Sequence, residues 1–369
     1  MKQINLTALI IILSISCFAQ QKTEHIDFSS PNWKTLGSAK VQKQDAQTST
    51  SISEGVGIAY LDGLTFENGV IECDLFSPTD KAYLGLVFRI GALDNFECIY
   101  FQPHTSGKWD AIQYDPIFNS SPTWQLFSSK GYQAVAEIPV QKWFHVKIKV
   151  LNDSAKVYLN KSKTPALSVK LKHKIKSGSA GVYSYHPAVF KNLKITKLET
   201  NPKCKNALTP HATNQPYISQ WHISEPYDNY YQAQSIQELS KSQNKWSKIN
   251  ADEDNLINLN QHFTKTPKGN TVLAKVTIHS ESTQNKQLKI GYSDKVRVCL
   301  NSDMLFKGDN SYKASARYED RGYVLDGQTT IELPLKKGVN ELLIELAEDK
   351  FGWGFIAQLD NMKGIEKIE

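Results

Sequence analysis

Between Phe96 and Trp124 the chain places Tyr100, His104, Trp109, Asp110, Gln113, Tyr114 and Trp124 within 25 positions, with Arg89 just upstream. Flat aromatic rings stack on the apolar faces of sugar rings, and a few fixed polar groups hydrogen-bond the hydroxyls, so a carbohydrate pocket needs this mixture. His104 with Asp110 has the makings of a general base oriented by a carboxylate. Asp110 and Gln113 would equally accept from and donate to neighbouring hydroxyls with no bond made or broken. A well-ordered polar loop uses the same residues, so three readings stand at this point. No catalytic residue is assigned.

The elements that position these residues are strands. Val70–Phe76, Tyr83–Ile90, Glu97–Gln102, Phe144–Val150, Ala155–Leu159, Val182–Tyr185 and Phe190–Ile195 alternate with a period near two. Asp94-Asn95, Ser106-Gly107, Asn152-Asp153 and Ser177-Gly178 punctuate them as turns. Residues 199–216, with Pro202, Pro210 and Pro216 and no periodicity, read as a linker. A second strand series follows: Val272–Ile278, Gln287–Tyr292, Val296–Leu300, Thr330–Leu335 and Asn340–Leu346, with one helical turn at Ser235–Ser240. The expected fold class is all-β, two β-sandwich (jelly-roll) domains in tandem over 20–198 and 217–369. Trp143, at the start of the strand Phe144–Val150, reads as core. Trp353, between Gly352 and Gly354, reads as core or as a stacking platform.

Lys2 followed by the apolar run Leu6–Ile15 and by Cys17-Phe18-Ala19 has the layout of a signal peptide, residues 1–19, cleaved after Ala19. A lipoprotein acylated on Cys17 is the rival reading, with Ser14 standing where such a signal prefers Leu. Either way the chain is expected in the periplasm or outside the cell. No later apolar run is long enough for a transmembrane segment. The net charge of +6 rests on Lys, with Arg only at 89, 297, 317 and 321, and the lysines alternate with apolar residues as in Val146–Val150. That is the pattern of solvated strand faces, so no nucleic acid partner is expected. Cys73, Cys98, Cys204 and Cys299 show no CxxC spacing, which leaves a zinc site unsupported; Cys73 and Cys98 are expected as buried free thiols, with a disulfide as the alternative. No P-loop, HExxH, Gly-x-Ser-x-Gly or dinucleotide fingerprint occurs. No cofactor is expected. Asp252-Glu253-Asp254 reads as a solvated acidic turn, with a structural calcium ion as the alternative.

Phe66-x-x-Gly69-x-Ile71-Glu72, Gly85-Leu86-Val87-Phe88-Arg89, Tyr100-x-x-Pro103-His104-x-Ser106-Gly107, Trp143-x-x-Val146-Lys147, Gly178-x-x-Gly181-Val182 and Phe190-x-Asn192-Leu193 carry a resemblance. Over residues 25–198 the chain resembles the concanavalin A-like lectin/glucanase superfamily, in particular secreted domains of the laminin-G-like or 3-keto-disaccharide hydrolase-like kind. Ile290–Asp294, Val296–Asn301, Gly338–Ile344 and Phe351–Phe355 give the second half the look of a galactose-binding-like jelly roll. The first resemblance implies a curved sheet whose concave side meets ligand. Arg89 shares strand parity with Tyr83, Gly85 and Val87, and so is expected on that side, unless it serves an ion pair with Asp110 or Glu72. The glucanases of this superfamily carry Glu-x-Asp-x-(x)-Glu on one strand. Here Glu72-Cys73-Asp74 begins the pattern and Leu75, Phe76 and Ser77 end it, which argues against that mechanism. The expected function is therefore binding of an extracellular poly- or oligosaccharide. The candidate ligand-binding residues are Arg89, Tyr100, His104, Trp109, Asp110, Gln113, Tyr114 and Trp124. The alternatives are a glycoside-cleaving enzyme of the 3-keto-disaccharide hydrolase type and a surface interaction module without a sugar ligand.

Overall fold

The computed structural model describes residues 21–37, 41–45, 49–52, 55–128, 131–198, 216–228, 235–264, 269–314 and 322–369. The stretch 1–19 expected as a signal peptide, Cys204 and the expected linker, apart from Pro216, lie outside the described residues. What is described is all-β: four antiparallel sheets, one short α-helix and two 3-10 turns.

Residues up to 198 form two facing sheets. The back sheet runs Leu167–Lys170, Ser154–Leu159, Phe144–Leu151, Gly69–Phe76, Ala188–Leu198, Ser49–Ile52 and Val41–Asp45, with Gln21–His25 also paired to Ala188–Leu198. The front sheet runs Gln133–Ala134, Ile112–Tyr114, Asn95–Phe101, Tyr83–Ala92, Ser179–Tyr185, Val56–Leu61 and Trp33–Gly37. Alternation does what it must. Ile71, Cys73 and Leu75 face Leu84, Leu86, Phe88, Ile99 and Phe101 across the core, while Glu72 and Asp74 face outward. Burial of this apolar face drives the pairing of the two sheets. Cys73 and Cys98 are buried free thiols on opposite sides of that arrangement, one in the core and one on the outward face of the front sheet.

Trp143 is not core. Phe144 takes the inward position, so its neighbour must point out. Trp143 is 41 % exposed, stands beside Phe76 and carries the Lys191 ammonium 3.9 Å above its ring. Trp353 is fully buried, and its indole N–H donates to the Leu346 carbonyl at 3.2 Å.

Arg89 also departs from the expected side, and for a reason the alternation hides. Its φ is +53°, and the pairing of its strand shifts register at this point against both neighbours. The bulge inserts one residue and reverses parity. Ile90 joins the outward cluster with Val87, while Arg89 turns inward and is buried completely. Its guanidinium donates to the Glu67 carbonyl at 2.8 and 3.0 Å and to the Asn152 carbonyl at 2.6 Å. It ties two turns of the back sheet to the front sheet and takes no part in an outward-facing site. Asn192, at φ +55°, does the same on the back sheet, letting Phe190 and Leu193 both face the core.

The second half pairs a sheet of Trp246–Asn250, Gln220–Ser224, Thr271–Ser280, Gly338–Ala347, Lys295–Leu300 and Asp303–Asp309, with Ile365–Ile368 on Thr271–Ser280, against one of Ile257–Asn258, Gly354–Leu359, Gln284–Ser293 and Thr329–Leu335. Helix Ile236–Ser242 lies on the outer face of the larger sheet, burying Ile236 and Leu239 against Leu273 and Leu343. Ser235 caps this seven-residue helix by accepting from the Glu238 N–H.

Two substitutions separate these placements. Arg89→Ala strands the Glu67 and Asn152 carbonyls in the interior and is expected to cost about 2–4 kcal/mol. Trp143→Ala removes an exposed ring and one cation–π contact and is expected to cost about 1 kcal/mol. Denaturant titration of both variants checks the order; an equal loss at the two positions would contradict it.

Candidate functional site

The outward face of the front sheet is aromatic. In register across the sheet, Tyr183 lies opposite Gly85 and Gly85 opposite Tyr100, so a glycine separates two tyrosines on one row. A Cβ at Gly85 would sit 2.1 Å from the Ile99 carbonyl oxygen, so only glycine fits this position. With no side chain between them, the Tyr100 and Tyr183 rings close to 5.8 Å. Tyr83 stands beside them, 5.8 Å from Tyr100, 5.7 Å from Tyr185 and 4.9 Å from the His104 ring. His186 stacks on Tyr185 at 4.4 Å. Tyr185 is exposed, Tyr83, Tyr183, His104 and His186 are half-buried, and Tyr100 forms the floor.

His104 is held by a 3-10 turn, Pro103–Thr105, that caps the strand Asn95–Phe101. The buried Gln102 amide steadies the loop by donating to the Asp110 carbonyl at 2.6 Å. Burial lowers the His104 pKa, and the Asp110 carboxylate works against that shift. Asp110 is buried and near enough for its charge to act on the His104 ring.

Gln113 and Tyr114 do other work. The Gln113 amide donates to the Tyr114 and Phe127 carbonyls at 2.6 and 2.9 Å and accepts from Gln133 at 2.6 Å, so its capacity goes to bracing the segment that follows. Tyr114 points into the core, where its hydroxyl donates to Glu97 at 2.7 Å and accepts from the Lys172 N–H at 2.7 Å. Parity decides both: Ile112 and Tyr114 face inward and Gln113 outward.

Trp109 and Trp124 stand at the far end of the lane, where the second sandwich closes on the first. Tyr323 packs edge-on against both, 5.4 Å from Trp109 and 5.3 Å from Trp124. Tyr312 and Phe351 meet Trp124 at 5.9 and 5.4 Å. Tyr323 and Asp115 both act on the Tyr100 phenol, which burial first and then these neighbours push well above its usual pKa. Two aromatic clusters thus neighbour each other, one of His186, Tyr185, Tyr83, Tyr183 and Tyr100 and one of Tyr323, Trp109 and Trp124, with the Tyr323 phenol near enough to act on that of Tyr100, and together they make up the lane.

Asp115 organises that end. It follows the pairing of 115–117 along the strand Asn95–Phe101, and its buried carboxylate accepts the Thr123 N–H at 2.7 Å and the Trp124 N–H. Burial raises its pKa to about 7. The segment it closes carries Gln125, whose carbonyl accepts from the Val324 N–H at 2.9 Å and whose N–H donates to the Phe351 carbonyl at 3.3 Å. Phe118, Leu126 and Phe127 then pack on Leu256 and Val324 of the second sandwich. Gly322, at φ +71°, leaves the space that the Gln125 side chain fills.

The acidic run Asp252-Glu253-Asp254 also belongs to this junction. Lys172, its side chain almost wholly buried, reaches across to Glu253 at 2.8 Å, Asp252 at 3.5 Å and Asp254, and the Tyr132 hydroxyl donates to Asp254. Burial disfavours the ammonium, but Asp252, Tyr132 and Asp254 more than offset it, and the Lys172 pKa stands above the ordinary value. Among the described residues no group of three or more His, Cys, Asp or Glu is arranged to hold a metal ion.

Of the residues singled out by sequence, the structure gathers Tyr100, His104, Trp109, Asp110 and Trp124 around the lane and places Arg89 and Tyr114 inside the core. Tyr83, Tyr183, Tyr185 and His186 were missed, although the alternation of Tyr183 and Tyr185 with buried Val182 and Ser184 is a legible signal. Tyr312, Tyr323 and Phe351 carried none. No family model and no curated protein matches the chain. Solved structures similar to it include the carbohydrate-binding module CBM66 from Bacillus subtilis (18 % identity over 44 % of this chain and 95 % of that one, TM-score 0.36). The β-glucanase of Bacillus licheniformis (9 %, 48 % and 97 %, TM-score 0.36) and a galectin-like-fold protein of unknown function from Bacillus subtilis (12 %, 46 % and 91 %, TM-score 0.36) are similar in the same sense.

The Asp115 carboxyl gives a pH test of the junction. Its folded pKa of about 7 lies above the value of an unfolded aspartate, so it contributes stability that is complete below about pH 4 and is lost as pH rises through about 7. Measured against Asp115→Asn, the wild type is therefore expected to lose melting temperature between pH 5 and pH 8, with a parallel change in tryptophan fluorescence from Trp124. Parallel curves for the two proteins would show that Asp115 titrates normally.

Proposed function

We propose that the protein binds a poly- or oligosaccharide along the aromatic lane of the front sheet, after export to the periplasm or cell exterior. The observation that carries this is the lane itself: tyrosine rings over a glycine-floored row, flanked by His104 and Asp110 at one side and closed by Trp109, Trp124 and Tyr323 at the end. Rings at these spacings offer several stacking surfaces in succession, as a chain of sugar units requires. The second sandwich contributes Tyr323 and so acts as a wall of the site. A leader of the signal-peptide type and the absence, among the described residues, of a helix long and apolar enough to cross a membrane are compatible with export.

Binding without cleavage is the reading the carboxylates favour. Glu72 and Asp74 lie on the outer face of the back sheet, where Lys147 holds Glu72 at 2.7 Å and His145 and Asn192 hold Asp74 at 2.7 Å each. Glu97 is interior, and Asp115 is engaged by backbone N–H groups. A retaining glycosidase needs two carboxyl groups about 5–5.5 Å apart on the ligand face, and these carboxylates are committed elsewhere.

A glycan array probed with the full chain tests the proposal, followed by calorimetric titration of a hit. Tyr183→Ala and Trp109→Ala are each expected to weaken binding about tenfold, from a stacking contribution of roughly 1–1.5 kcal/mol. Asp110→Asn is expected to weaken it modestly, and product analysis to find the glycan intact. Retention of no glycan by the array would refute the proposal, and turnover lost in Asp110→Asn at constant affinity would replace it with the hydrolase reading.

A further inference from the structure

At its open end the lane changes character. The rings of His104 and His186 both pack on Tyr83, 4.9 and 6.3 Å from it, and Lys81 stands on the turn immediately before. Building on the carbohydrate reading above, we propose that His104, His186 and Lys81 seat an anionic substituent, a uronate carboxylate or a sulfate ester, so that the glycan bound is acidic.

The two ring nitrogens are the first ground. His104 Nδ1 and His186 Nε2 are both buried and make no hydrogen bond. The His104 ring is oriented by the Ala82 carbonyl, which leaves Nδ1 as the atom free to receive a proton and donate it onward. A buried polar atom without a partner costs about 1–3 kcal/mol, a cost that is recovered when a ligand supplies the missing partner.

The backbone at His186 is the second. It holds φ +78° with a side chain that is neither glycine nor asparagine and with Pro187 directly after it. A residue in this region costs about 1–2 kcal/mol relative to ordinary backbone, so something must hold it. The buried Ser184 hydroxyl does, by donating to the His186 carbonyl. The result is a histidine ring stacked on Tyr185, within reach of Tyr83.

Charge selects the sign of the ligand. Burial first, then Lys81, lowers the pKa of both histidines, and His186 adds to this at His104; Asp110 and the hydrogen bond to the Ala82 backbone oppose it, and only at His104. Lys81, His186 and Asp110 are the charged groups that bear on the two rings. Three basic groups crowded together are relieved by an anion, which would restore protons to the histidines and turn neutral contacts into charge-assisted ones. A neutral hydroxyl supplies a hydrogen-bond partner but leaves the crowding of charge unrelieved. A metal cation is disfavoured by Lys81 and by the lack of a third ligand in any such group among the described residues.

The test is calorimetric titration of the full chain, at constant ionic strength and at pH 5.5 and 8, with three glycans of equal length: an oligogalacturonate, a heparin-derived sulfated oligosaccharide and a cello-oligosaccharide. One of the acidic pair is expected to bind at least about tenfold tighter than the neutral one, the scale of a charge-assisted bond. Which of the two binds tighter tells carboxylate from sulfate. That affinity is expected to rise severalfold from pH 8 to pH 5.5. Lys81→Gln, at an exposed position, and His186→Gln are each expected to erase most of the acidic preference with melting temperature unchanged. Equal affinities, tighter binding of the cello-oligosaccharide, or a preference that survives both variants would overturn the inference while leaving carbohydrate binding intact. Binding of none of the three, together with a blank glycan array, would remove the carbohydrate reading itself.

Discussion

A sheet that is apolar on both faces needs two covers, and the front sheet of the first sandwich is such a sheet. Its inner face is sealed by the back sheet in the usual way. Its outer face carries Ile58, Tyr60, Val87, Ile90, Phe96, Cys98 and Tyr100, and water cannot be left on all of them. The chain solves this by laying residues 115–117 along the strand Asn95–Phe101, so that Ile117 covers part of the face. The segment that follows then becomes the surface on which the second sandwich docks. What remains uncovered is the aromatic lane. The site and the seam between the sandwiches are thus two outcomes of one burial problem.

The polar groups of the seam follow from that arrangement. A loop drawn over an apolar face must satisfy its own backbone in the interior, and Asp115 and Gln113 do so with side-chain hydrogen bonds to Thr123, Trp124, Tyr114 and Phe127. At the edge, Lys172 is nearly removed from water and would be costly there alone. Three carboxylates from the facing turn, one of them also held by the Tyr132 phenol of the first sandwich, make it tolerable and orient the second sandwich against the first. That orientation brings Tyr323 against Trp109 and Trp124. A charge pairing remote from the lane therefore sets the position of one of its walls.

Strand existence and sidedness were legible in the sequence because both rest on nearest-neighbour facts: alternation, turn residues and the punctuation of Gly, Asn and Asp. They located the two strand series and the helical turn at Ser235. Alternation failed at Arg89 and Asn192, where a single bulged residue with positive φ reverses every side-chain direction beyond it. Asn192 is of a residue type that tolerates positive φ, but Arg89 is not, and there the sequence carries no mark of the bulge. Trp143 was misplaced for a different reason: its size suggested core, while the parity of Phe144 beside it already said surface.

The candidate site divides along the same line. The sequence by itself determined that aromatic and polar groups alternate on strands of an all-β chain, which puts Tyr83, Tyr100 and Tyr183 on a common side once pairing is known. Only the tertiary structure decided which strands are neighbours, and so that Gly85 separates Tyr183 from Tyr100, that His186 comes back beside His104, and that Tyr323 arrives from more than two hundred residues away. The physical reason is that pairing between strands distant in sequence is chosen by the burial of whole faces. That quantity is summed over the fold, and no local window of residues contains it.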